Sequence, residues 1–247
     1  MSDNTLIDIA ALTAPLSDAA PCGDNLEYDP QFQALEQAAR GKPEVEYGST
    51  LTPATPPDWI EVRMLALQLM ERCRDLRIAM TLTRALLKLE GVPGLAAGLT
   101  LLAELLTRQW DHVHPQLDPD DGNDPMLRVN VLAALCQSSA LLRDLRDAPL
   151  AQVRAVGSVS LRDIEQAAGE RESEDDGRKS MRDAVFSAAA QEQLAQMVSA
   201  LEHALAITQR IEQELTARVG VGSALDLEPL ATVLRRAADA VRPHLRA

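Results

Sequence analysis

Aromatic residues are scarce, with two each of Trp, Tyr and Phe among 247 residues. A chain that is 46% hydrophobic must then build its core from Leu, Ala and Val, which favours helices packed on helices. Cysteine is equally sparse. Cys22, Cys73 and Cys136 are odd in number, far apart and without a C-x-x-C. That excludes a disulfide framework and points to reduced thiols and a cytoplasmic chain. Positive charge is also short, at 24 basic against 37 acidic residues, net −13. A nucleic-acid partner or docking on an anionic membrane needs the opposite sign. No uncharged apolar run approaches the roughly 18 residues of a membrane span. Met1 to Ala11 carries Asp3 and Asp8 and no basic start, unlike a signal peptide. Neither nucleic-acid binding nor membrane insertion is expected.

Catalytic motifs are missing too. There is no G-x-S-x-G, and Cys136, Ser138 and Ser139 lie in a helical pattern without a glycine turn to expose a nucleophile. G-x-x-x-x-G-K-[ST] is absent, and "GVG" at 220–222 lacks the strand and third glycine of a dinucleotide fingerprint. No cofactor is expected. The most enzyme-like stretch is "RQWDHVHPQLDPDDGNDP", Arg108 to Pro125. As a calcium loop with Gly122 at the glycine position, it places Leu117 first and Arg128 last, where Asp and Glu are needed. As a zinc site it offers His112 and His114, but on a helix residues i and i+2 point about 200° apart. The simpler reading has Trp110 and Val113 inward, His112 and the aspartates in solvent, and Asp124–Pro125 starting the next helix. A metal-dependent hydrolase using His112 and His114 is the weaker alternative.

What is present is helical periodicity. Residues 14–57 are rich in turn formers and read as an extended, proline-rich segment with one short helix, Pro30 to Arg40. Asp58 caps a helix carrying Trp59, Val62, Ala66, Leu69, Met70 and Cys73 on one face. Asp75 caps the next, or the two run together, and Gly91 and Pro93 end it. Leu95, Leu99, Leu102, Leu106, Trp110 and Val113 give a third helix, stopped by Pro115. Gly94-x-x-x-Gly98 lets two helices approach. A fourth helix from about Asp124 carries Leu127, Val131, Leu135, Ser138, Leu142 and Leu145. Residues 153–159 permit a short extended piece, and Ser160 caps a brief helix. "GERESEDDGRKS", with eight of twelve residues charged, reads as a mobile surface loop at about 169–180. A long helix spans about 188–219, where Leu194, Leu201, Thr208 and Leu215 recur every seven, beside Met197, Ala204, Ile211 and Arg218. That row serves core packing or self-association. A last helix runs from about Asp226. Trp59 and Trp110 are both expected to be mostly buried. The expected fold is all-α: a bundle of roughly seven to nine helices with short loops, divided 1–147 and 148–247 or forming one continuous domain.

Five short blocks occur in order: "PCGDNLEYDP", "DWIEV", "RCRDLRIAMTLTRALLKLEGVPGLAAGL", "QWDHVHP" and "LRVNVLAAL". In this register the chain resembles the ImpA N-terminal family, the TssA proteins of the bacterial type VI secretion system, closely over about 14–146. The positions that carry the resemblance are Pro21, Gly23, Leu26, Tyr28, Asp29 and Pro30, then Asp58 and Trp59, then Asp75, Leu76 and Arg77. Trp110, Asp111, His114 and Pro115 follow, and Arg128 completes the set. They are turn residues, caps and aromatic anchors, the signature of a fold or docking surface. The resemblance implies a cytoplasmic, non-enzymatic assembly protein that helps prime or cap the contractile tail. It implies baseplate, membrane-complex and tube or sheath components as partners. An adaptor for an unrelated helical partner is the alternative. Family members commonly continue into a C-terminal domain that builds a ring. The sequence stops at "RPHLRA", so a shorter variant and an N-terminal portion of a longer chain both fit.

Overall fold

The structure, a computed structural model, describes residues 6–42, 45–47, 50–169 and 176–246. Aspartate side chains set where its first helices begin. Asp8 accepts from Ala11 N to start α1 (Ile9–Thr13), and Asp29 accepts from Gln31 N at 2.8 Å to start α2 (Pro30–Arg40). Asp58 accepts from Ile60 N and Glu61 N at 3.0 and 3.3 Å, starting α3 (Trp59–Met70). Asp75 accepts from Arg77 N at 2.7 Å, starting α4 (Leu76–Arg108). Each cap satisfies amides that have no partner inside the helix. Because Asp75 is extended and capping, α3 and α4 are separate helices.

The proline-rich piece between α2 and α3 is not wholly extended. β1 (Val45–Tyr47) pairs antiparallel with β2 (Thr50–Thr52), and Lys42 pairs with Thr55 behind them. β-branched and aromatic residues suit this hairpin.

α4 is two helical halves meeting at Gly91, whose φ of 66° lies in the left-handed region. The halves fold back on each other. A Cβ on Gly94 would sit 2.2 Å from the Leu86 carbonyl oxygen, and one on Gly98 would sit 2.7 Å from Thr83 Cα. The G-x-x-x-G spacing therefore joins the two halves of this turn. By length and composition α4 could cross a membrane, yet 61% of its most apolar stretch is buried inside the fold. It is a core helix.

The third helix ends at Arg108, short of the expected Val113, and the fourth is interrupted. A 3₁₀ turn at Pro119–Asp121 precedes α5 (Met126–Ala133), and another at Ala134–Cys136 leads to α6 (Leu141–Asp147). Gln137, Ser138 and Ser139 lie in the break, where side chains that bond their own backbone weaken a helix. The expected extended piece is a hairpin, β3 (Pro149–Val153) with β4 (Gly157–Ser160). Ser160 then starts α7 (Leu161–Gly169), with Ser160 and Asp163 bonded reciprocally at 2.8 and 3.2 Å. Half of the expected charged loop, residues 170–175, lies outside the described residues, and its end from Asp176 belongs to α8 (Asp176–Ala188). α9 (Gln191–Val219) and α10 (Glu228–Val241) complete the chain. The fold is thus mostly helical, with two small hairpins.

α9 packs against α4 and α10, and α3 packs against α4. Leu194, Leu201, Thr208 and Leu215 are all fully buried there, so the heptad row belongs to the core. One contiguous set of buried apolar side chains runs from Ile7 to Val241. Gly94→Ala is expected to lower stability by about 1–3 kcal/mol, because the methyl forces the halves of α4 apart. Urea denaturation of the two proteins checks this.

Candidate functional site

Three of the recognisable blocks meet as backbone. Gly23 pairs antiparallel with Cys73, and Asp75 pairs in parallel with His114. Arg74 N donates to Cys22 O at 2.8 Å, His114 N to Arg74 O at 3.0 Å, and Leu76 N to His114 O at 2.8 Å. Chain segments from before α2, between α3 and α4, and after α4 are thereby laced side by side. Gly23 is required here: its φ is 70°, and a Cβ would meet the Arg72 carbonyl oxygen at 2.2 Å. The His114 ring closes the same contact, its Nε2 lying 3.0 Å from Gly23 O. A carbonyl only accepts, so this nitrogen carries the proton. The His114–Pro115 peptide is cis.

Arginines hold the joint together. Arg128 is fully buried. Its guanidinium donates to the carbonyls of Trp110, Val113 and Pro115, the last two at 2.6 and 2.7 Å. It also lies 4.8 Å over the Trp110 ring. Burial pushes its pKa down to about 10, offset in part by the Cys22 thiol and Asp111. Arg74, also buried, donates to Ala11 O and Ala14 O at the end of α1 and to Met70 O at the end of α3. Helix C-termini carry partial negative charge, so a guanidinium there satisfies carbonyls and field together. Arg77 pairs with Asp75 at 2.7 Å and Glu27 at 3.3 Å, and stacks over Phe32 at 4.9 Å. Arg72 pairs with Asp29 at 2.7 Å, holding the Asp29 carboxyl below the usual carboxylate range.

The two tryptophans differ. Trp110 is buried, with Arg218 at 5.4 Å in addition to Arg128. Trp59 is only half-buried, against expectation. As the first residue of α3 it sits at the rim, where Arg84 covers its ring at 4.9 Å. Arg84 in turn bonds the buried Asp144 of α6 at 2.8 Å.

The remaining motif residues divide by exposure. Leu26 and Leu76 are buried, and Pro21 and Pro115 half-buried. Pro30 opens α2 and Asp58 opens α3. Tyr28, at 84% exposed, and Asp111 face outward. His112 is exposed while His114 is buried against Gly23 O, so the pair does not converge. Among the described residues no three His, Cys, Asp or Glu side chains are placed to share a metal ion. Sequence reading missed Arg74, Gln109 and Asp144. Gln109 donates to Thr13 O at 3.0 Å and accepts from the Cys22 thiol at 3.5 Å. The available signal for Arg74 was the "RCRDLR" run, three arginines and a cap inside an otherwise apolar helix pattern.

Arg128→Met is expected to cost at least about 3 kcal/mol, since three buried carbonyls lose their donor at about 1–3 kcal/mol each. Arg128→Lys should recover only part of it, and thermal unfolding of both reads this out. The thiols give a pH test. Burial pushes Cys22 up to about 11 and Cys73 up to about 12. Thiolate is the reactive form, so iodoacetamide at pH 8 should label neither in the folded chain and both in urea. Pairing raised folded values with ordinary unfolded ones means the neutral thiols stabilise fully below about 9, and that contribution fades as pH rises towards 12.

The family described as "ImpA, N-terminal, type VI secretion system" matches residues 13–137. The type VI secretion system component TssA1 of Pseudomonas aeruginosa is 42% identical over 237 residues, covering 94% of this chain and 67% of that protein. The N-terminal domain including the conserved ImpA_N region of the TssA component from Burkholderia cenocepacia superposes with a TM-score of 0.76 at 24% identity, covering 96% of this chain and 93% of that one. At that identity the superposition speaks to the fold alone. A match over half the chain and a relative this similar over most of it assign the protein to the ImpA N-terminal family, the TssA components of the bacterial type VI secretion system.

Proposed function

We propose that this chain is a non-enzymatic structural and docking component of the type VI secretion system. It works in the cytoplasm, helping to assemble the baseplate and the contractile tail tube and sheath, by priming or capping. It does so through protein–protein contacts with baseplate, membrane-complex and tube or sheath components. One observation carries the reading. The motif side chains able to do chemistry are engaged by backbone or ion-pair bonds: His114 by Gly23 O, Asp75 by Arg77, Arg128 by three carbonyls. They act as joints, and the outward members, Tyr28 and Asp111, are left for partners. With one contiguous core, the chain presents its surfaces as a single unit.

Affinity capture from a lysate containing the baseplate and sheath proteins tests this. Retention of a baseplate, membrane-complex, tube or sheath component under gentle salt is expected, reduced by Tyr28→Ala without a change in melting temperature. Retention of none of them overturns the reading, and capture of one unrelated helical protein points to the adaptor instead.

A further inference from the structure

The connector between α4 and α5 leaves the joint at Pro115 and returns at Pro125. Arg128 holds both ends, through Pro115 O and its own place on α5. α5 buries Arg128, Val129 and Leu132 against the fold. The residues that open it do the reverse: Met126 is 44% and Leu127 63% exposed. Two large apolar side chains, adjacent at the start of a helix, stand in water although the helix has an inner face available. The connector that leads into them carries Asp118, Asp120, Asp121 and Asp124, and Asp111 acts on Arg128 of the same helix; all five are exposed. None of these carboxylates pairs with a cation among the described residues. Asp118 and Asp124 also accept from Asp120 N and Met126 N, which fixes two of the five in place.

An exposed apolar pair next to a run of exposed, unpaired carboxylates selects its partner. A second copy of a chain with net charge −13 is repelled, and so are nucleic acid and anionic lipid. We propose that Met126 and Leu127 dock a basic amphipathic segment of a partner protein, apolar residues meeting this pair and Lys or Arg meeting the aspartates. An amphipathic helix has that layout, with an apolar stripe flanked by charge. Methionine suits the contact because its unbranched side chain adapts to irregular surfaces. The aspartates raise the association rate and exclude acidic competitors, while the apolar pair supplies affinity. This deepens the docking reading and rests on it, naming the chemistry of one partner.

The test uses the full chain and a fluorescein-labelled 16-residue peptide of Lys and Leu at helical spacing. Controls are a scrambled peptide of the same composition and a Glu/Leu counterpart. Two variants are compared: Met126→Ser with Leu127→Ser, and Asp→Asn at 111, 118, 120 and 121. Asn keeps the capping acceptor, and both variants should melt as the parent does. Each is expected to weaken the Lys/Leu peptide at least about tenfold, with the scrambled and Glu/Leu peptides binding far more weakly. The proposal is overturned if the serine variant binds undiminished, which leaves only diffuse attraction to an acidic protein. Equal binding of the scrambled peptide overturns it too. So does a dimer in sedimentation that the serine variant abolishes, which makes a second copy the occupant. No secretion component enters this test, so its failure leaves the result of the capture experiment standing.

Discussion

The end of a helix leaves carbonyls that must find donors once they are buried, and the joint in this protein depends on how two arginines meet that demand. After α4 the chain reverses through Trp110, Val113 and Pro115, and all three carbonyls point inward to the Arg128 guanidinium. Only arginine offers five fixed donors on one planar head. No carboxylate bonds to it among the described residues, so its charge is offset by carbonyl dipoles and the Trp110 ring. Arg74 repeats the device for α1 and α3. These two side chains brace the segments at Gly23, Asp75 and His114, which their backbone bonds lace side by side.

That arrangement decides where charge sits. Arg74 and Arg128 place their charge in the interior, on backbone rather than on acidic side chains. Elsewhere cations bind acids across element boundaries: Arg84 to Asp144, Arg162 to Asp147, Arg210 to Glu104. The exposed pairs among them, such as Arg162 with Asp147, contribute little to stability, about 0–1 kcal/mol each. They do remove positive charge from the solvent field. A chain with 13 more acids than bases therefore shows its excess where no cation reaches, and the α4–α5 connector is such a place.

Helix starts are readable from the sequence because aspartate caps act locally. Asp29, Asp58 and Asp75 each bond an amide two residues on, and nothing distant is needed. Gly91 is readable as a break for the same reason. The failures share a different cause. The apolar stripe from Leu127 to Leu145 continues at helical spacing through Ser138, yet the backbone turns at Gln137–Ala140 because α6 is drawn to α4 by Arg84 and Asp144. Trp59 is an anchor by residue type, but its place at the first turn of α3 leaves one face to Arg84. The charge run at Arg74 is visible, but what it holds is not, since Ala14 O lies about 60 residues away; Gln109 gives no local sign, its Thr13 O partner lying about 96 residues away. The motif residues of the site can be found by resemblance. What each one holds can be found only by seeing which carbonyl it meets.

A joint of this kind also has mechanical consequences. α5 is tied to the end of α4 through Arg128, and α4 packs along α9, which packs along α10. A load applied at the start of α5 passes through hydrogen bonds at 2.6–2.7 Å into the longest helices of the core. The interior is close-packed and yields little, so the buried side of α5 is held as part of the body. Histidine, aspartate and arginine are residue types that serve catalysis in other settings. Here the same residue types are locked, and the exposed surface beside them carries shape and charge. The lock at His114, Asp75 and Arg128 fixes the backbone on both sides of the acidic connector.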